Sequence, residues 1–157
     1  QNIPYKISPF KVGGSDERQY CSPGFNFSVG SLMRTPYQEY KEYHTSLDNK
    51  SFISFKAMKE SIEIYFQIVK AIEINETYIN KNPFCEPQLG KRGLYPDSIS
   101  PEENRIQIHN RMHLLSFCDG EHDLLEIAEK NNSSIFDFEN HIQELLDSKL
   151  LIKSIKS

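Results

Sequence analysis

Apolar positions recur along this chain with two distinct periods. From Ser54 to about Ile74, Phe55, Met58, Ile62, Tyr65 or Phe66, Val69 and Ile72 fall three or four residues apart. That spacing predicts one amphipathic helix with a single buried stripe, and the Met and aromatic content of the stripe is read as core packing, not as a cofactor box. From Phe25 to Met33 the period is two, with Phe25, Phe27 and Val29 alternating with Asn26, Ser28 and Gly30. Alternation of this kind predicts a strand with one covered face.

Beyond residue 100 the helical period returns in shorter pieces. Ser100-Pro101-Glu102-Glu103 sets a hydroxyl at the N-cap, proline at the first helical position and a carboxylate at the third, which starts a helix. It should run to Cys118, with Ile106, Met112, Leu115 and Phe117 buried, and stop at Asp119-Gly120, where glycine accepts a left-handed backbone. A second helix is expected over about Glu121 to Lys130, carrying Leu124, Leu125, Ile127 and Ala128. Asn131 to Ser134 then turn the chain and cap a third, Ile135 to Asp147. With the closing strand LLIKSI, three helices and an edge strand spell a winged-helix domain.

Breaker residues mark the joints. Gly, Pro and aromatics crowd Ile3 to Tyr43, and Pro83, Pro87, Gly90, Gly93 and Pro96 interrupt Asn80 to Ser100, so the latter reads as a linker. The expected organisation is residues 1–80 as one part, 81–99 as linker and 100–157 as the winged helix.

Size and charge narrow the function classes. A chain of 157 residues with 38% hydrophobic content supports one ordinary core or two small ones. The net charge of −4 lacks the basic excess of a nucleic-acid or anionic-membrane surface. Within Asp119 to Ser148 nine acidic side chains face Lys130 alone, a balance of −8, so a recognition helix there would be repelled by phosphates. No nucleic-acid partner is expected, and the winged helix is read as a protein-contact or homo-oligomer element, with Phe136 as a surplus apolar contact. Cys21, Cys85 and Cys118 form neither a disulfide framework nor a C-x-x-C pair, which fits a reducing cytoplasm. No apolar run suits a membrane span or a signal peptide. The opening, Gln1-Asn2-Ile3-Pro4, without methionine, suggests an excised or processed fragment.

The candidate chemistry lies in EYHTSLDN, Glu42 to Asn49, ahead of the long helix. His44 could ligate zinc with Asp48 orienting its ring, but an H-x-x-x-D spacing in a polar loop is more often chance or a helix-entry hydrogen bond. Cys21 is read as a structural thiol, since no cation or helix N-terminus is evident to activate it.

The order SDERQYCSPG, a strand, EYHTSLDN and a long helix, followed by NPFCEPQLGKRGLYP, resembles the C-terminal end of the co-catalytic zinc aminopeptidases of clan MH. It is closer still to a bacterial subgroup with an appended winged helix, over Pro9 to Ile155. The resemblance implies the distal part of an aminopeptidase-like α/β/α domain, with a peptide or amide as substrate of the parent. It puts His44 at the terminal zinc-ligand position, Asp48 at the aspartate that follows it, and Asp16 at a Ser-Asp aspartate that contacts substrate or orients ligands. Glu17 is left as a ligand or a loop anchor, and Arg18 without a role. The clan's mechanism also needs an upstream His, a bridging Asp, a general-base Glu beside a ligand Glu and a further acidic ligand, and none precedes the motif here. The chain is therefore expected to carry one wall of a zinc site, to partner the remainder of a catalytic domain, and to hold no zinc by itself. The competing expectation is a non-catalytic regulatory or interaction protein whose winged helix binds a protein partner or DNA.

Overall fold

The computed structural model of the chain describes residues 4–13, 16–95 and 100–155, arranged as two compact units, Gln1–Ser54 and Phe55–Ser157. The first holds one short helix, α1 (Asp16–Tyr20), among turns. The second holds α2 (Phe55–Ile74), β1 (Thr77–Asn80), α3 (Pro101–Phe117), β2 (Asp119–Asp123), α4 (Leu124–Lys130), α5 (Glu139–Asp147) and β3 (Leu151–Lys153), with 3-10 turns at Gly90–Arg92 and Ile135–Phe138.

Capping chemistry fixes the helix starts in the second unit. Ser100 accepts a hydrogen bond from the Glu103 N–H with Pro101 at the first position, as its sequence predicts. Asp123 and Glu126 satisfy each other's backbone N–H groups at the head of α4, and Ser134 and Asp137 do the same before α5. Each such box satisfies two donors that helix geometry leaves orphaned. Asp123 ends a strand, so the helix expected from Glu121 begins three residues later.

The sheet runs β2-β1-β3 and is antiparallel throughout. Its central strand, β1, precedes α3 by twenty residues. Thr77 faces Asp123 and Ile79 faces Asp119 on one side, while Tyr78, Ile79 and Asn80 face Lys153, Ile152 and Leu151 on the other. Gly120 lies in β2 at φ +91°, where a Cβ would stand 3.0 Å from Ile79 Cγ1. Left-handed backbone and lack of space both demand glycine there. Asn80 locks the strand to α3, its side-chain amide donating to the Leu115 carbonyl at 2.7 Å.

Around this sheet Leu114 and Leu115 from α3, Cys118 just past its end, Ile127 from α4, Phe138, Ile142 and Leu145 before and in α5, and Leu151 from β3 form the core. Full burial of each large side chain contributes on the order of 1.5–3 kcal/mol. Leu89 and Leu94 join them, at 1% and 6% exposure, so the stretch expected to be a linker is partly core. The boundary drawn at residue 80 gives way for the same reason: β1 has its ladder partners in β2 and β3, and residues 89–94 fill the space beside α3. Residues 96–99 of that stretch lie outside the described residues.

Three further expectations change. Residues 25–33 form no strand among the described residues; the N–H groups of Phe25 and Asn26 turn back to the Ser22 carbonyl and that of Phe27 to Tyr20, because a strand needs a ladder partner and these groups bond locally instead. Ile106 is 57% exposed rather than buried, while Asn110 and Arg111, polar by type, are the buried residues of mid-α3. The stripe on α2 is not core packing: Phe55, Ile62, Val69 and Ile72 are all more than half exposed.

Candidate functional site

The EYHTSLDN stretch folds as consecutive turns. Thr45 N–H donates to the Glu42 carbonyl at 3.2 Å and Asp48 N–H to that of Thr45 at 3.1 Å. The Thr45 hydroxyl donates to Glu42 O at 3.0 Å and accepts from Leu47 N–H at 3.2 Å. Asn49 Oδ1 accepts from both the backbone and the hydroxyl of Ser51, at 3.0 and 2.6 Å. Short polar side chains that bond their own backbone two residues on make such turns. Thr45 and Asn49 therefore shape the loop, and among the described residues no hydrogen bond ties the side chain of His44 or Asp48 to it.

His44 is exposed, with its backbone at φ +55°, a left-handed conformation that costs a residue with a Cβ on the order of 1–2 kcal/mol. Residues held in that region concentrate at functional positions. Its ring stacks on Tyr43 at 4.1 Å between centroids. Tyr43 in turn meets Tyr37 and Tyr40, and Tyr40 stacks on Phe52. This aromatic set escaped the sequence reading, although the three-residue spacing of Tyr37, Tyr40 and Tyr43 was its visible signal. No hydrogen bond or ion pair joins His44 to Asp48 among the described residues.

Asp16 and Glu17 open α1. Glu17 accepts a hydrogen bond from the Ser31 hydroxyl, which ties the helix to the loop fourteen residues on, while Asp16 is exposed. Cys21 donates its thiol to the Phe27 carbonyl at 3.3 Å, the behaviour of a structural thiol. In the second unit Cys118 is buried, and burial with the neighbouring Asp119 carboxylate pushes its thiol up to about 12, far from a nucleophile's range.

A catalytic zinc needs three protein ligands with an open fourth position. Among the described residues no group of three or more His, Cys, Asp or Glu side chains could hold a metal ion. His44 and the carboxylates near it in sequence do not fit a zinc site by themselves.

Beyond α2, the second unit sets three helices, α3, α4 and α5, against a small antiparallel sheet. Residues 76–153 match the family described as winged helix-turn-helix, and residues 1–75 match a domain of unknown function (DUF4910). The match from residue 76 agrees with β1, not Ser100, as the start of the winged helix. A Clostridium acetobutylicum protein named "Putative polysaccharide biosynthesis protein with aminopeptidase-like domain" is 42% identical over 127 residues, which cover 81% of this chain and 29% of the relative. A crystal structure described as a "putative peptidase" from the same organism superposes on 97% of this chain and 33% of its own, with 38% identity and a TM-score of 0.81. The chain is thus similar to peptidase-like proteins and carries a C-terminal winged helix. It spans about a third of the length of these relatives.

Proposed function

We propose that this chain forms the distal part of a zinc-dependent aminopeptidase-like hydrolase, with His44 as one metal ligand, Asp16 beside the substrate, and Asp48 and Glu17 supporting the site wall. The observation that carries this reading is the left-handed, exposed His44 on a self-bonded turn, within a chain 38% identical to a structure described as a peptidase. The missing ligands and the general base would come from the remainder of a catalytic domain, and zinc would supply a polarised carbonyl and an activated water. The substrate class is a peptide or amide. The winged helix serves protein contacts, self-association included, because the −8 balance of its Asp119 to Ser148 stretch suits neither phosphates nor an anionic surface. No described helix is long and apolar enough to cross a membrane, and the three free cysteines favour a cytoplasmic setting.

Metal analysis tests this reading on the chain assembled with the rest of such a domain. Stoichiometric zinc, reduced at least tenfold in affinity by His44→Ala, is the expected result. Unchanged zinc content in that variant would remove His44 from the ligand set.

A further inference from the structure

The α2 helix has two unlike sides. Phe55, Met58, Ile62, Tyr65, Val69 and Ile72 repeat at spacings of three, four, three, four and three, the seam spacing that keeps one face turned to a partner. Their exposures run from 49% to 85%, and no described residue of the helix is buried. The side away from this seam is built for water: Lys56 pairs with Glu60 and Lys59 with Glu63, each one turn apart. Toward its C-terminal end that same polar side reaches the winged helix. Lys70 bonds Glu139 at 2.7 Å and lies over the Phe136 ring at 5.4 Å, while Ala71 and Ile74 pack on the core. Phe136 is therefore already engaged, not surplus. The helix is anchored by one side and bare on the other.

Monomeric proteins rarely leave a contiguous apolar face of this length open. The first unit repeats the signal independently: none of its described residues is buried, although Phe25, Phe27, Leu32, Met33, Leu47 and Phe52 are among them. A chain segment that hides none of its apolar side chains has no core of its own to stabilise it.

We infer that the Phe55–Ile72 face of α2 is the seat for the α/β body of an aminopeptidase-like domain, the portion that makes up the other two-thirds of the peptidase-like relative. This inference rests on the reading proposed above and adds its contact surface. Nearly the whole chain superposes on one third of that relative, so the counterpart of α2 there is accompanied by about twice as much further polypeptide. A second copy joined along α2 would cover only a strip one helix wide, whereas a further body about twice the length of this chain can cover the whole face.

The test mixes this chain with a polypeptide comprising the unmatched two-thirds of the Clostridium acetobutylicum relative, and measures the complex by sedimentation. A 1:1 complex is expected, weakened at least tenfold by Ile62→Asp or Val69→Asp and unchanged by Lys56→Asp on the polar side. Circular dichroism should show all three variants as helical as the parent. Absence of a complex, indifference to both apolar-face variants, or a homodimer of this chain broken by those same variants would overturn the inference. Zinc read in the same samples separates the two readings. An intact α2-dependent complex lacking zinc sinks only the metal assignment, and a zinc-bearing complex indifferent to Ile62→Asp sinks only the docking face.

Discussion

Arg111 donates to Glu144 Oε2 through both Nε and Nη2, at 2.9 and 2.7 Å, while its remaining arm, Nη1, donates to the Leu94 carbonyl at 2.8 Å. One guanidinium thus joins α3 to α5 and holds the proline- and glycine-rich stretch against both. Its side chain is 5% exposed and that of Glu144 is 42% exposed, so solvent screens one partner of the pair.

Arg111→Ala should destabilise the second unit by about 2–3 kcal/mol, because the Leu94 carbonyl loses a buried donor and Glu144 loses its counter-charge. Glu144→Gln, which keeps a hydrogen-bond acceptor, should cost roughly 1 kcal/mol. Urea titrations followed by circular dichroism measure both. Equal losses in the two variants would mean that the charge, not the Leu94 bond, carries the effect.

Truncation should expose the true start of the winged helix. A fragment beginning at Ser100 lacks the central strand β1 as well as Leu89 and Leu94, and should not melt cooperatively. A fragment beginning at Phe55 keeps them and should. Limited proteolysis of the intact chain is accordingly expected to leave a resistant piece that includes Thr77.

Acid should loosen this unit in two steps. Burial holds His113 below its ordinary value of 6.5, reinforced by the nearby His109 and Lys130 although the Ile127 carbonyl opposes it. Burial likewise lowers His141, although its hydrogen bond to Glu144 opposes this. A depressed folded value means that the unfolded chain binds protons first, so the stability from these groups is full above about 6.5 and falls as pH drops through their folded values. For Glu144, burial would raise its value, but the hydrogen bonds from Arg111 and His141 lower it below 4.5, so a second loss follows below that pH. Thermal melts from pH 8 to 4 should show this decline, and His113→Leu should flatten its upper part.

The cysteines should divide by burial. Cys85 is exposed and Cys118 buried, so a thiol reagent at pH 8 should modify Cys85 at once and Cys118 only as fast as the unit opens. With its folded value raised to about 12 from 9.0, Cys118 contributes stability that is full below about pH 9 and lost as pH rises toward 12. Immediate reaction of Cys118 would contradict its place in the core.

Duplex DNA should not bind. Lys130 lies over the Phe117 ring at 5.5 Å and Arg111 is committed to Glu144, which leaves the helix-turn-helix region few cations to displace counterions. A gel shift at low salt with random duplex should show free DNA at micromolar protein, and a salt-sensitive complex would revive the regulatory alternative.

Local chemistry alone determined much of the second unit. The cap at Ser100, the box at Ser134, the helix ending near Cys118 and the closing strand at Leu151–Lys153 depend on neighbours within a few residues, and such signals are written in the sequence. His44 was visible through its motif, and its left-handed backbone emerged only with the turn around it. Tertiary structure decided what depends on distant partners. Thr77–Asn80 is too short to be distinguished by pattern, and becomes the central strand because β2 and β3 supply ladders on both sides. Leu89 and Leu94 look like linker residues until Arg111 holds their segment against α3. The alternation at Phe25 to Val29 and the stripe on α2 show the opposite outcome. Periodicity records which face is meant for burial, but burial requires a second surface, and among the described residues of this chain that surface does not meet them.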